Sequence, residues 1–68
     1  MNFPSGPCLE VLEYLRQHPE GCTATQIGEA FPHLDADTRG GITYRLRMYG
    51  YVARIYGKRN ATVWVAIK

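Results

Sequence analysis

The sequence lacks the features that place a chain in a membrane or around a metal. No apolar run is long enough to cross a bilayer, and the N-terminus lacks the charged-then-apolar pattern of a signal peptide. The two cysteines, Cys8 and Cys22, match no zinc-binding spacing when combined with His18 and His33. We therefore expect a cytoplasmic chain with reduced cysteines, no metal site and no cofactor.

Motifs for catalysis are also missing. The chain has no Gly-rich phosphate loop, no pair of catalytic carboxylates and no Ser or Cys nucleophile with an oriented base. With 68 residues it forms one domain with a small core, which leaves little room for a substrate pocket. We expect a protein that is not an enzyme and that binds no small-molecule ligand.

Positive charge is scarce in the N-terminal half of the chain, and negative charge is scarce in the C-terminal half. Residues 1–34 hold a single cation, Arg16, against four glutamates, for a net charge of −3. Residues 35–68 hold seven cations against Asp35 and Asp37, for a net charge of +5. Most of these cations fall in an amphipathic stretch and at a predicted turn between strands. Such a distribution suits a polyanion with a groove and a backbone, and it predicts duplex nucleic acid as the partner.

Apolar spacing predicts two helices after a flexible lead-in over residues 1–6. The first helix, over 7–18, begins at Pro7, and its core stripe is Cys8, Val11, Leu12 and Leu15. The second helix, over 24–31, follows a capping box formed by Thr23 and Gln26. Its short apolar face is expected to be Ala24, Ile27, Ala30 and Phe31.

A third helix is predicted over residues 36–49, with Asp35 or Asp37 as its N-cap and Gly50 after its C-terminus. Its core-facing residues are expected to be Ile42, Leu46 and Tyr49. Gly40 and Gly41 each cost about 1 kcal/mol relative to alanine in a helix interior. Either the helix begins after them, or they relieve crowding where the second and third helices cross.

Two strands are predicted after the third helix, over residues 51–56 and 62–67, because both stretches are rich in β-branched and aromatic residues. The polar residues 57–60 between them have the length of a hairpin connection. Trp64 is expected to pack into the core. Residues 21–23 are expected to form a further short strand that pairs with this hairpin.

In this order of elements the chain resembles the winged helix-turn-helix family of DNA-binding domains. The resemblance spans residues 7–67 and is carried by residues 23–30, by the Ile42, Leu46 and Gly50 spacing, and by the hairpin with Arg54, Lys58, Arg59 and Trp64. It implies an α+β fold of three helices followed by a two-stranded β-hairpin wing, with a DNA-binding third helix.

Helix geometry places Thr43, Tyr44 and Arg47 closest to base edges if the third helix enters the major groove. Arg45 is expected nearer the core, and Gly40 is expected to let the backbone approach a phosphate. The resemblance adds Thr25 and Gln26 as phosphate contacts, and Lys58 and Arg59 as minor-groove or backbone contacts of the wing. The full set of predicted DNA-binding residues is Thr25, Gln26, Thr38, Arg39, Gly40, Thr43, Tyr44, Arg45, Arg47, Arg54, Lys58 and Arg59.

Simpler readings stay open for several of these residues. Arg39, Arg45 and Arg47 are also compatible with a solvated helix face, and Tyr44 with the edge of the core. We expect a nucleoid-associated protein that binds double-stranded DNA as a small transcriptional regulator of prokaryotic, phage or plasmid type. The alternatives are a winged-helix adaptor for another protein and an excisionase-like architectural DNA binder. A monomer or a weak homodimer is expected, with no effector ligand.

Overall fold

The computed structural model describes residues 3–56 and 62–68. Its elements in chain order are α1 (Pro7–Arg16), α2 (Ala24–Ala30), α3 (Ala36–Met48), β1 (Val52–Tyr56) and β2 (Thr62–Ala66). β1 and β2 form an antiparallel hairpin in which Arg54 lies opposite Trp64. The predicted fold class is therefore confirmed: this is a small α+β fold of three helices and a two-stranded hairpin, consistent with a winged-helix layout.

The core draws side chains from every helix and from the hairpin. The predicted α1 stripe of Cys8, Val11, Leu12 and Leu15 is buried, as are Cys22, Ile27, Phe31, Ile42, Leu46 and Val52. Both cysteines are free thiols, and burial raises the pKa of Cys22, so its thiol stays protonated at neutral pH. Two expected core positions are wrong, because Ala24 and Ala30 are exposed.

Side chains near the helix N-termini fix where α2 and α3 begin. The capping box is confirmed: the Gln26 N–H donates to Thr23 Oγ1 at 3.1 Å, and the Thr23 N–H donates to Gln26 Oε1 at 2.8 Å. Asp35, not Asp37, caps α3, since its carboxylate accepts the Thr38 N–H at 2.7 Å. The cap sets the start of α3 at Ala36, so the helix includes Gly40 and Gly41 and does not begin after them.

The crossing of α2 and α3 uses a different glycine from the expected pair. A Cβ at Gly40 or Gly41 would meet nothing within 4 Å among the described residues, so neither relieves crowding. A Cβ at Gly28 would lie 3.2 Å from the Arg39 guanidinium. The close approach between these two helices is therefore made by Gly28 and the Arg39 side chain.

The hairpin is joined to the helices through Cys22. Its N–H donates to the Trp64 carbonyl at 3.0 Å, and the Trp64 N–H donates to the Cys22 carbonyl at 2.8 Å. The short strand expected over residues 21–23 is thus an antiparallel bridge of one residue. The preceding Gly21 has a φ of 93°, and a Cβ there would lie 3.0 Å from Val63 Cγ2. Only glycine combines this backbone with this approach.

The lead-in is less independent of the domain than predicted, because Phe3 packs against the core. Its ring centroid lies 4.7 Å from that of Tyr49 and 5.9 Å from that of Tyr51. The Tyr51 hydroxyl also donates to the Phe3 carbonyl at 3.4 Å. Tyr49, expected in the core, is the C-cap residue of α3 and is 64% exposed. Phe3 therefore packs on a tyrosine that stands outside the core.

None of the helices in the described part of the chain is long and apolar enough to cross a membrane.

Exchanging two glycines for alanine should change stability in opposite directions. Gly41→Ala should raise the free energy of unfolding by about 0.5–1 kcal/mol, because a helical alanine loses less backbone entropy and its Cβ meets nothing. Gly21→Ala should lower it by more than about 1 kcal/mol, because the positive φ and Val63 both oppose a Cβ. Urea denaturation of the two variants measures both effects. A Gly21→Ala variant as stable as the wild type would contradict the account of the hairpin junction.

Candidate nucleic-acid interface

The inward side of α3 consists of Ile42, Thr43 and Leu46, all buried. Thr43 is only 7% exposed, and its hydroxyl donates toward the carbonyl oxygens of Arg39 and Gly40, each 3.1 Å away. This is the hydrogen bond that a helical threonine makes to the preceding turn. The prediction that Thr43 lies closest to base edges is therefore wrong.

The burial of Thr43 turns the outward side of α3 by about one-tenth of a turn from the predicted direction. The outward centre is occupied by Tyr44, which is 60% exposed, and Met48, which is 65% exposed. Arg45 and Arg47 are both exposed and lie on opposite flanks of this centre. Arg45, expected nearer the core, is thus part of the outward surface. Tyr44 belongs to the exposed surface and not to the edge of the core.

Arg39 points at the α2–α3 connection and not at solvent. It is half-buried, its Nη1 donates to the Leu34 carbonyl, and its guanidinium packs on Gly28. The guanidinium therefore bridges α3, the connection and α2. This geometry favours a positioning role for Arg39, which holds α2 relative to α3, and its DNA contact stays a prediction.

The first turns of α2 and α3 expose the remaining predicted polar residues. Thr25 and Thr38 are exposed, and their helices begin at ordered caps. Gln26 is exposed, but its Oε1 accepts a hydrogen bond from the Thr23 N–H. Its side-chain NH₂ is therefore the part of the amide that could donate to a partner. Gly40 is exposed, and no side chain among the described residues comes within 4 Å of the position a Cβ would take there. These residues provide hydroxyl, amide and backbone groups at two helix N-termini.

The wing lies beside the start of α3. A shallow hollow is lined by Trp64 of β2 together with Ala24, Ile27, Ala36, Arg39, Gly40 and Thr43. Trp64 is half-buried and packs against the core, as predicted, and the Arg54 guanidinium carbon lies 5.9 Å from its ring centroid. Arg54 itself is exposed. Lys58 and Arg59, predicted at the wing tip, lie outside the described residues.

The exposed arginines of α3 and β1 have no carboxylate partner within residues 3–56 and 62–68. There, the single ion pair between side chains joins Arg16 to Glu13 at 2.6 Å. The same residues contain no group of three His, Cys, Asp or Glu side chains that could hold a metal ion. Arg45, Arg47 and Arg54 therefore present unneutralised positive charge to the surroundings.

Sequence reasoning left Met48 out of the candidate set and Gly41 off the final list. Met48 follows Tyr44 by four residues, so the two share one face of α3. The sequence prediction places Tyr44 on the outward side of α3, so the four-residue spacing alone could have added Met48. The burial of Thr43 turns that side further toward Met48.

Replacing Asp35 should change the pH dependence of stability. The hydrogen bond from the Thr38 N–H lowers the pKa of Asp35 below its ordinary value. The ionised carboxylate therefore stabilises the folded state above its unfolded pKa, and this contribution is lost as the pH falls through the folded pKa. Asp35→Asn keeps an N-cap acceptor but removes the charge. The stability advantage of the wild type over Asp35→Asn, measured by urea denaturation, should shrink on acidification below about pH 4. An advantage that stays constant with pH would contradict this role.

Removing the Arg39 side chain should weaken the α2–α3 connection. Arg39→Ala should lower the free energy of unfolding by about 1.5–3 kcal/mol, the usual range for a hydrogen bond that involves a charged group. Arg47→Ala removes an exposed arginine from the same helix and is the matched control, expected within about 0.5 kcal/mol of the wild type. Urea denaturation of both variants gives the comparison. Equal stability of the two would show that Arg39 is not a positioning residue.

Comparisons of the chain with protein-family models, with curated proteins and with solved structures find no match. The geometry of α3, of the α2–α3 connection and of the hairpin is therefore the basis of the proposed function.

Proposed function

We propose that the chain binds double-stranded DNA, with the outward side of α3 in the major groove and the wing on the flanking backbone or minor groove. The observation that carries this proposal is the uncovered outward side of α3, with Arg45 and Arg47 exposed on its flanks. The width of the B-DNA major groove admits one α-helix, and a pair of flanking guanidinium groups suits the phosphates or guanines at its edges.

Charge supports the same assignment. No acidic residue follows Asp37, whereas residues 38–68 contain five arginines and two lysines. Of these cations, Arg39 donates to the Leu34 carbonyl, so it keeps its charge but has fewer donors free for direct contact with a partner. Arg45, Arg47 and Arg54 remain exposed on α3 and β1. Against these three arginines, α3 and β1 carry one carboxylate, the exposed Asp37 in the first turn of α3. A surface with this excess of cations attracts a polyanion.

The hairpin supports a second point of contact. β2 is held to the Cys22 backbone and Trp64 lies against the hollow beside Gly40, so the wing and the start of α3 flank one surface. When a helix and an adjoining hairpin lie on the same surface, they can bind neighbouring parts of one duplex. On this basis the chain acts as a small regulator of transcription, by occluding a promoter or recruiting another factor to it.

The test is fluorescence anisotropy of a labelled random-sequence duplex, titrated with the chain at several salt concentrations. The logarithm of the binding constant should fall linearly with the logarithm of the salt concentration. In Arg45→Ala/Arg47→Ala the slope should be smaller by about 0.9 for each arginine that contacts a phosphate. Both side chains are exposed, so the fold should be retained.

Arg16→Ala is the matched control, because it removes the single cation of residues 1–34 and lies outside α3 and the wing. Its salt slope should equal that of the wild type. Absence of duplex binding at low salt would contradict the proposal. An Arg45→Ala/Arg47→Ala variant that binds as the wild type does would likewise contradict the role of α3, and the adaptor function would then be favoured.

A further inference from the structure

In the second half of α3 the outward centre is apolar and the flanks are cationic, whereas the first turn exposes Asp37 on the same side. Tyr44 and Met48 stand one turn apart and are the large exposed side chains of this centre. Together with Arg45 and Tyr49 they line an open groove. An exposed methionine at the centre of a cationic surface is not explained by attraction to phosphate, which needs charge or a hydrogen-bond donor. Tyr44 has a hydroxyl that could serve a phosphate, but its ring adds an apolar face next to Met48.

The turn before this apolar pair has no side chains on its outward side. Gly40 and Gly41 are exposed, and a Cβ at either would meet nothing within 4 Å among the described residues. Tyr44 and Met48 therefore project beyond the adjoining helix surface. A partner that approaches α3 closely meets backbone at the glycine pair and then the tyrosine and methionine side chains.

The chemistry of the major groove offers one apolar group to such a surface. Adenine, guanine and cytosine present hydrogen-bond donors and acceptors there, whereas thymine also presents its C5-methyl group. Over residues 40–48 the sequence contains no Asn, Gln, Ser, Lys, Asp or Glu. Thr43, which has a hydroxyl that could serve a base edge, is buried. Arg45 and Arg47, on the flanks, suit guanine O6 and N7.

We infer that Tyr44 and Met48 are specificity-determining residues that contact thymine methyl groups, so the preferred duplex has thymine opposite the centre of α3. The inference rests on the proposed DNA-binding function and adds the base that the site selects. A second copy of the chain is a poorer occupant of this surface. In a two-fold symmetric contact centred on Tyr44 and Met48, the arginines flanking one copy would approach those of the other.

The experiment first selects duplexes from a random-sequence library with the wild-type chain. The most enriched duplex is then synthesised in two forms, one with thymidine and one with deoxyuridine at every thymine position. These forms differ only in the C5-methyl groups. The wild type should bind the deoxyuridine form about fourfold more weakly for each methyl group it buries. Met48→Ala should bind the two forms with a smaller ratio of affinities, and Tyr44→Ala should do the same.

Ile67→Ala is the matched control, because Ile67 is 60% exposed and lies outside α3, whereas Met48 is 65% exposed. It should keep the wild-type ratio between the two duplex forms. A wild-type chain that binds both forms equally overturns the inference, as does a library selection that enriches no sequence. In either case salt-dependent binding of the random duplex would leave the proposed function standing, whereas no duplex binding would overturn both.

Sedimentation of the DNA-free chain tests whether a second copy of the chain covers Tyr44 and Met48. The wild type and Met48→Ala should sediment alike across a range of concentrations. A wild-type dimer that Met48→Ala dissociates would show that a second copy covers Tyr44 and Met48, and it would overturn the assignment of this surface to thymine.

Discussion

Two backbone hydrogen bonds between Cys22 and Trp64 hold the hairpin against the helices, and the arrangement of the proposed interface depends on them. An isolated two-stranded hairpin is marginally stable in water, so β1 and β2 need a third element. Cys22 supplies one residue of pairing on the far edge of β2, while its buried side chain joins the core. Gly21 makes this possible, because any Cβ there would press on Val63. Where the wing stands relative to α3 is thus set by a glycine and a cysteine in the α1–α2 connection.

The arginines of the C-terminal half have two different structural roles, which a count of charges does not distinguish. Arg39 is half-buried against Gly28 and donates to the Leu34 carbonyl, so it stabilises the α2–α3 connection. Arg45 and Arg47 are exposed on either flank of α3. A guanidinium can do either, because its planar donors suit a backbone carbonyl as well as a phosphate. The direction of its helix face decides which, and that direction follows from burial.

Much of the fold could be predicted from the sequence, because each element carries a local signal. The α1 stripe, the Thr23–Gln26 capping box and the β-branched strands predict elements whose ends differ from the structure by at most two residues. What the sequence could not supply was side-chain direction. Helical periodicity predicted Thr43 on the DNA-facing side of α3. Its hydroxyl instead donates toward carbonyl oxygens of the preceding helical turn, and because this polar group is hydrogen-bonded the side chain can be buried. Phe3 was likewise missed, because its partners Tyr49 and Tyr51 lie far along the chain. The DNA contacts themselves remain predictions.

Gly40 and Gly41 are where local propensity disagrees most with the observed structure. Each disfavours the interior of α3 by about 1 kcal/mol relative to alanine. A Cβ at Gly21 would press on Val63 and one at Gly28 would lie close to the Arg39 side chain, whereas a Cβ at Gly40 or Gly41 would meet no described residue within 4 Å. The helix continues through them because the Asp35 cap fixes its start and the burial of Ile42 and Leu46 fixes its second half. Packing therefore explains how α3 stays helical despite Gly40 and Gly41. It does not explain why the sequence has glycine at these two positions. Under the proposed function, a major groove that admits one helix would bring a partner surface within contact of the α3 backbone, and this would give the pair a role.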